Sequence, residues 1–137
     1  MGSLISNNLN MIFQTPKGAA VHALNDVSFN LAKGELLTVL GPSGCGKTTL
    51  LNIIAGFLRP TSGSIKLADD EIDGPGVERG MVFQQGALFE WLTVAENVNF
   101  GLRMRKENPA SIEKKVNEWL EIVGLVGFGN TPTYQLS

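Results

Sequence analysis

The chain has 137 residues, of which 43% are hydrophobic, and its formal net charge is −2 at pH 7. This length and composition indicate one modest globular domain. The slightly negative charge gives no electrostatic basis for binding nucleic acid, and no apolar run reaches the roughly 18 residues of a membrane-spanning helix.

Cysteine and histidine each occur once, and each is a candidate reactive group. Cys45 is the single cysteine, so a disulfide within the chain is excluded and a reducing compartment is indicated. A thiol next to a helix N-terminus can be reactive, but we favour a small residue that fits a tight loop, because no partner for thiol chemistry is present. His22 has no catalytic or metal-binding partner at a recognisable spacing, so we interpret it as a surface or strand residue. No basic segment precedes an apolar core at the start, and we expect no signal peptide.

The first segments predict a small antiparallel layer. Apolar residues fall at odd positions of a first strand, namely Ile5, Leu9, Met11 and Phe13. Residues 15–18 predict a turn. Val27, Phe29 and Leu31 then alternate with polar residues, as in an amphipathic strand.

A turn at residues 33–34 leads into residues 35–40, an almost unbroken apolar run that predicts a buried parallel strand. The loop that follows matches the phosphate-loop pattern G-x-x-x-x-G-K-[ST] at every fixed position. It consists of Gly41, Pro42, Ser43, Gly44, Cys45, Gly46, Lys47, Thr48 and Thr49. Apolar residues at helical spacing come next, so the sequence predicts strand, glycine loop and helix in this order.

The residue types of this loop suit the phosphates of a nucleotide. Glycines let the backbone turn sharply and approach a ligand closely, and successive N–H groups make an anion-binding nest at the positive end of the helix. Lys47 supplies a point charge for the terminal phosphates, and the Thr48 hydroxyl suits a Mg²⁺ ion that keeps several waters. The alternative, an ordinary glycine-rich turn before a helix, fits this context less well.

Residues 59–63 predict a turn, and residues 64–67 predict a short strand. Residues 80–84 predict a second buried strand with Gln84 at its end, where ligand sites of α/β sheets form.

Two helices are predicted after residue 92. Thr93 and Glu96 have the spacing of a capping box and should start a helix that runs to about Arg105. Pro109, after Asn108, starts another helix, which Gly124 should end. The second helix has one apolar face, formed by Ile112, Val116, Trp119, Leu120 and Val123. This face is either a partner surface or a packed face within a helical layer, and we favour packing.

Several motifs, in this order and spacing, resemble the ATP-binding subunits of ABC transporters. They are the loop GPSGCGKTT, the helix with Ile54-Ala55-Gly56, the turn PTSGSI, VFQQ and LTVAENVNFGL. The resemblance covers the chain from about Leu9 to Ser137. It implies an α/β fold: a P-loop NTPase core with an N-terminal antiparallel β layer and the start of a helical subdomain. Residues 73–84, with Trp91 downstream, look most like importers of the taurine, aliphatic sulfonate and nitrate group, and Glu90 stands where many of that group carry proline.

The resemblance implies roles for individual residues. An aromatic residue upstream of the phosphate loop stacks on the adenine of ATP, and Phe13 best matches that place; the alternative is a core residue of a strand. The loop residues 41–49 bind the nucleotide. Gln84 contacts Mg²⁺ and the attacking water. Lys47 and Gln84 are therefore the implied catalytic residues, and Thr48 and Gln84 the implied metal ligands.

The resemblance also implies partners. Gly86–Leu92 would face the coupling helix of a transmembrane permease subunit, with a helical-layer core as the alternative for the apolar residues 88–92. A second ATP-binding subunit would form a homodimer, and a solute-binding protein would take part indirectly. The chain would then lie in the cytoplasm, on the inner face of the cell membrane.

The family's signature motif begins Leu-Ser-Gly-Gly, and this chain stops at Leu136-Ser137. No apolar strand ending in Asp-Glu and no histidine after the loop is present. We therefore interpret residues 1–137 as one incomplete ATPase domain: residues 1–92 are the β layer and phosphate-loop core, and residues 93–137 start the helical subdomain.

Three functional hypotheses are compatible with these features of the sequence. The first is ATP hydrolysis that drives import of a small anion in the complete domain. The second is nucleotide binding without hydrolysis. The third, another phosphate-loop NTPase such as a kinase or GTPase, is disfavoured by the capping-box helix and by Gln84.

Overall fold

The computed structural model describes residues 2–84 and 86–136. The chain forms two compact units, Met1–Met81 and Val82–Ser137. None of the helices within the described residues is long and apolar enough to cross a membrane.

The first unit is built on a four-stranded antiparallel sheet. Its strands are β1 (Leu4–Gln14), β2 (Ala20–Leu31), β3 (Ser62–Leu67) and β4 (Asp70–Glu71). Their order across the sheet is β2-β1-β3-β4. The predicted antiparallel layer is confirmed, and so is the turn that joins its first two strands, where the N–H of Gly18 donates to the Thr15 carbonyl at 2.9 Å.

The first strand is less regular than its alternating pattern predicts. The pairing of β1 with β2 shifts register between Ser6 and Leu9, and Asn8 has a left-handed φ of 45°. The Asn8 amide donates to the Asp26 carboxylate at 2.6 Å across this bulge. An extra residue turns the following side chains to the other face. As a result Ser6, Leu9 and Met11 are buried.

One helix, α1 (Lys47–Ala55), packs on this sheet. Leu50 and Ile53 share a buried cluster with residues from the strands and the segment after them: Leu9, Met11, Leu24, Ile65 and Ile72. The helix ends at Gly56, whose φ is 83°. A Cβ at this position would collide with the carbonyl of Gly74, so the helix end also requires glycine for close backbone packing.

The two strands predicted for a buried parallel core are not formed. Residues 35–42 and 80–83 carry no regular secondary structure, and Leu36, Leu40 and Val82 are 91%, 86% and 97% exposed. A buried parallel strand needs neighbours that pair with its backbone and layers that cover both faces. Within the described residues no strand pairs with either segment. The prediction from local pattern was therefore wrong for these segments in this chain.

The second unit contains α2 (Val94–Met104), α3 (Pro109–Ile122) and the short 3₁₀ helix Thr133–Gln135. The predicted capping box of α2 is confirmed, because the N–H of Glu96 donates to the Thr93 hydroxyl at 3.3 Å and the N–H of Thr93 donates to the Glu96 carboxylate at 2.8 Å. The side chain of Asn108 caps α3 by accepting from the N–H of Ala110 at 2.9 Å.

The apolar face of α3 is only partly buried. Val116 and Leu120 are buried together with Val94, and Ile112 packs against them. The packing interpretation is confirmed for these residues of α3. By contrast, Trp119 and Val123 are 40% and 63% exposed. Gly124, with a φ of 71°, follows the helix as predicted.

Candidate functional site

The phosphate loop turns through two glycines with left-handed backbones. Gly44 has a φ of 80° and Gly46 a φ of 96°. A Cβ on Gly46 would overlap the carbonyl oxygen of Ala23 and lie 3.0 Å from the Leu24 side chain. The loop therefore rests directly on β2, and only glycine fits at Gly46 for both space and conformation.

The loop delivers the N-terminus of α1 without a capping side chain. Gly46 is the N-cap residue of α1, and the first turn of the helix contains no acidic residue. The first intrahelical hydrogen bond runs from the N–H of Leu50 to the Gly46 carbonyl at 2.9 Å. The backbone N–H groups before Leu50 have no partner within the helix, and such groups, with the helix dipole, favour an anion.

The ammonium group of Lys47 is held above this turn. Its Nζ donates to the carbonyl oxygens of Gly41 at 2.8 Å and Pro42 at 2.6 Å, and lies 3.4 Å from the Cys45 sulfur. An ammonium has three donors, and a thiol is a weak acceptor. A phosphate oxygen can therefore replace the sulfur contact while both carbonyl hydrogen bonds are kept, which makes the third donor the one best suited to an anion.

The oxygen donors for a magnesium ion are few. Thr48 and Ser43 are exposed, and no cluster of His, Cys, Asp and Glu that could hold a metal occurs in the part of the chain that the structure describes. Mg²⁺ binds oxygen ligands, keeps several waters and takes others from substrate phosphates. The exposed hydroxyl of Thr48 at the start of α1 fits that mode of binding.

Phe13 lies near the end of β1, where it pairs with Val21 of β2. Strand alternation places its side chain on the same face as the buried Met11. Met11 pairs with Leu24, which contacts the position of Gly46. Phe13 therefore shares the sheet face on which the phosphate loop rests, and its side chain is 39% exposed. Its role in adenine binding stays a prediction.

Gln84 lies in the second unit and is exposed in a bend. Its predicted role towards Mg²⁺ and water stays a prediction. The signature residue Ser137 lies outside the described residues, whereas Leu136 packs against the helical cluster of Val94, Val116 and Leu120.

The segment Gly86–Leu92 is tied to α2 by a residue that the sequence analysis missed. The N–H of Phe89 donates to the Asn97 amide oxygen at 2.8 Å, and the Asn97 amide nitrogen donates to the carbonyls of Phe89, Leu92 and Thr93 at 3.1, 3.3 and 3.0 Å. The only signal was a polar residue in the first turn of an amphipathic helix.

The same segment presents apolar side chains to solvent. The Phe89 ring packs 4.5 Å from the Phe100 ring and 5.3 Å from the Trp91 ring. Leu88 and Trp91 are 56% and 79% exposed. Phe89 thus anchors the segment, while its neighbours remain available on the surface.

The carboxyl group that closes the capping box has a shifted pKa. Hydrogen bonds from the backbone N–H and the hydroxyl of Thr93 lower the pKa of Glu96 below its ordinary value, and the charge of Arg103 adds to this. The ionised form of Glu96 is therefore the one that stabilises the start of α2.

Comparison with known proteins identifies a family and relatives that the chain resembles. The sequence profile of the ABC transporter family matches residues 24–137. The chain is 81% identical over 137 residues to the taurine import ATP-binding protein TauB of Pelagibacter ubique and 57% identical over 137 residues to the protein of that name from Roseobacter denitrificans. Both alignments cover 100% of this chain, with 52% and 51% of the two relatives.

A solved structure agrees with these matches. It is described as the dimeric, post-hydrolysis state of an ATP-binding cassette bound to ADP and Pi. It superposes with a TM-score of 0.84 at 28% sequence identity, over 98% of this chain and 63% of that chain. The chain thus spans about half the length of the curated relatives that it matches.

Proposed function

Because the chain belongs to the ABC transporter family, we propose that it binds Mg-ATP at Gly41–Thr49 and takes part in ATP-driven import of a small anion of the taurine and sulfonate type. The substrate class rests on the names of the relatives, which are taurine import ATP-binding proteins. The nucleotide is the ligand for which the phosphate loop provides the chemistry.

The observation that carries this proposal is the geometry of Lys47 above α1. Two of its donors are fixed by the carbonyls of Gly41 and Pro42, so the position of the charge is set before a ligand arrives. The helix N-terminus below it adds uncapped N–H groups. A preorganised cation and an anion-binding helix end together favour a polyphosphate.

Within this proposal each residue has a distinct task. The loop N–H groups and Lys47 bind and orient the phosphates. Their negative charge then lies next to hydrogen-bond donors whose positions are already fixed. Thr48 would hold Mg²⁺ through its hydroxyl, and the ion would supply positive charge beside the phosphates. Gln84 orients the attacking water, and Phe13 stacks on the adenine.

Hydrolysis is proposed for the complete domain, with nucleotide binding without turnover as the alternative for the 137-residue chain. The relatives are about twice as long as the aligned region. A positioned general base typically raises the reaction rate by about 10²–10⁴-fold. No carboxylate among the described residues is proposed as this base.

The proposed partners follow from the importer assignment. A membrane permease would bind at Gly86–Leu92, where Leu88 and Trp91 are exposed. A second ATP-binding subunit is supported by the dimeric state of the solved relative, and a solute-binding protein would contribute indirectly. The chain would then work in the cytoplasm at the inner face of the membrane.

Titration with a fluorescent ATP analogue and Mg²⁺ tests the proposal. Hydrogen bonds to charged groups contribute about 1.5–3 kcal/mol each, so Lys47→Ala should weaken binding at least about tenfold. Lys33→Ala, which removes an exposed lysine from a turn, is the matched control and should leave the affinity unchanged. Equal affinity in the unaltered protein and the Lys47 variant would show that the loop is not the site.

A further inference from the structure

The connection between α2 and α3 gathers most of the positive charge of the second unit. Arg103, Arg105 and Lys106 are three of four consecutive residues, and all three are exposed. Glu107 follows them, and Lys115 of α3 donates to the Glu107 carboxylate at 2.5 Å. These five residues, called the basic turn below, contain four of the five basic residues of the second unit and have a formal charge of +3.

The ion pairs of the basic turn leave two of its cations unpaired. Glu107 forms ion pairs with Lys115 and, at 3.6 Å, with Arg105. Arg103 and Lys106 take part in no ion pair within residues 2–84 and 86–136. Arg103 lies in the last turn of α2, where a cation stabilises the helix end. Its position therefore has a structural explanation, whereas the position of Lys106 is unfavourable for the backbone.

Lys106 stands where a helix normally ends in glycine. The N–H of Lys106 donates to the Arg103 carbonyl at 2.9 Å, and the N–H of Glu107 donates to the Leu102 carbonyl at 3.2 Å. These two hydrogen bonds form the Schellman motif, whose left-handed residue is usually glycine. Lys106 has a φ of 56°, so its side chain is kept here although it strains the backbone. A strained, exposed residue of this kind favours a role of the side chain in binding.

An apolar side chain stands among these cations. Met104 lies between Arg103 and Arg105 in the sequence and is 62% exposed. Clusters of about four to eight Lys or Arg beside a membrane are typical of binding to anionic lipid, and an exposed apolar side chain can enter the headgroup region. Nucleic acid fits less well, because the net charge of the chain is −2 and binding to nucleic acid favours a basic domain.

We propose that the basic turn binds anionic lipid headgroups of the membrane. This inference rests on the proposed function, which assigns the chain to the inner face of the membrane, where the leaflet carries negative charge. The basic turn lies at the opposite end of α2 from Gly86–Leu92, about 16 Å away for a helix of 11 residues. Lipid contact is therefore separate from the contact proposed for the permease and would add to it.

Flotation with lipid vesicles on a density gradient tests this proposal, because bound protein rises with the vesicles whereas aggregated protein sediments. Vesicles of phosphatidylcholine with phosphatidylglycerol should carry the chain, and pure phosphatidylcholine should not. Each Lys or Arg near an anionic surface contributes about 1 kcal/mol, or about fivefold in partitioning. The double variant Arg105→Glu with Lys106→Glu should therefore partition at least tenfold less. The matched control, Lys17→Glu with Lys33→Glu at two exposed positions of the first unit, should change partitioning less than twofold.

Lys106→Gly separates a binding role from a structural one. Glycine removes the charge and also the left-handed strain, so the variant should melt at a higher temperature and partition about fivefold less. Partitioning that stays unchanged in this variant, or equal flotation with neutral and anionic vesicles, would overturn the proposal.

Further measurements on the same samples identify the ligand. Flotation that inorganic phosphate abolishes at constant ionic strength would replace the lipid surface by a free phosphate group. Tighter binding of a DNA oligonucleotide, with the same loss in the double variant, would replace it by nucleic acid. Normal binding of the fluorescent ATP analogue without flotation would refute the lipid contact alone, whereas loss of analogue binding with normal flotation would refute the proposed function itself.

Discussion

Asn97 holds the main chain of Phe89 from both sides, because its amide oxygen accepts from the Phe89 N–H at 2.8 Å while its amide nitrogen donates to the Phe89 carbonyl at 3.1 Å. Phe89 lies outside any helix or strand, so this side chain substitutes for the backbone pairing that regular structure would provide. The first turn of α2 thereby fixes the segment that carries Leu88 and Trp91.

Asn97→Ala should loosen this segment. Part-buried backbone groups of Phe89 and Leu92 would lose their partners, at a cost of about 1–3 kcal/mol. Amide hydrogen exchange of Phe89 should accelerate, and urea unfolding should shift to lower concentration. Asn117→Ala, on the exposed side of α3, is the matched control, and unchanged exchange at Phe89 in the Asn97 variant would contradict the role given to this residue.

Two glycines of the phosphate loop allow a matched comparison. Gly46→Ala places a Cβ on the Ala23 carbonyl, whereas Gly44→Ala meets no atom within 4 Å. Both residues have a positive φ, so both substitutions carry the left-handed penalty of about 1–2 kcal/mol.

Only the Gly46 variant also displaces the loop from β2. It should lose more thermal stability than the Gly44 variant and should bind the ATP analogue more weakly. Equal melting temperatures for the two variants would show that the loop does not rest on Ala23 in solution.

Phe13→Ala should separate recognition of the base from recognition of the phosphates. Stacking of a nucleobase on an aromatic ring contributes about 1–3 kcal/mol in proteins that bind single strands. The variant should bind ATP about tenfold more weakly and inorganic triphosphate almost unchanged. Val21→Ala, at the paired position of β2, controls for loss of strand packing; if ATP and triphosphate affinity fall together, Phe13 is a structural residue and another group holds the base.

The capping box predicts a pH dependence with a defined sign. Because the pKa of Glu96 is lowered from its ordinary value of 4.5 in the folded protein, its stabilising effect is present above the unfolded pKa. That effect is lost as pH falls through the lower folded pKa.

Thermal unfolding between pH 7 and about pH 3 should therefore reveal a contribution that Glu96→Gln removes, since glutamine keeps the box but does not titrate. A Glu113→Gln variant should keep the pH profile of the unaltered chain. Identical profiles for the unaltered chain and the Glu96 variant would refute this assignment.

The exposed apolar segments predict low solubility of the isolated chain. Leu36 and Leu40 are largely exposed in a segment without regular structure, and such surface favours aggregation and binding of hydrophobic dyes. We expect weak solubility, strong dye fluorescence and no phosphate release above background with Mg-ATP.

Leu36→Lys should reduce dye binding with little change in stability, because surface substitutions usually alter it by no more than about 0.5 kcal/mol. Steady ATP turnover that Lys47→Ala abolishes, together with a cooperative thermal transition, would show that the chain is self-sufficient.

Local signals in the sequence were enough for the helices and the antiparallel layer. The capping box at Thr93 and the glycine stop at Gly124 act over one or two turns, so their structure follows from neighbouring residues. The phosphate loop was predictable for the same reason. Residues 35–40 and 80–84 have the composition of buried strands, but a strand forms only where a partner supplies backbone hydrogen bonds. The role of Asn97 was not predicted, because its partners are backbone groups and these leave no pattern in the sequence.

The antiparallel sheet and α1 are complete by Glu71. Domains fold as units during synthesis, with N-terminal parts first, and contacts between nearby segments form faster than distant ones. This layer can therefore assemble on the ribosome while the later helices are still being made. The phosphate loop can then settle on β2 before α2 and α3 are made, while the apolar segment after Gly34 stays exposed.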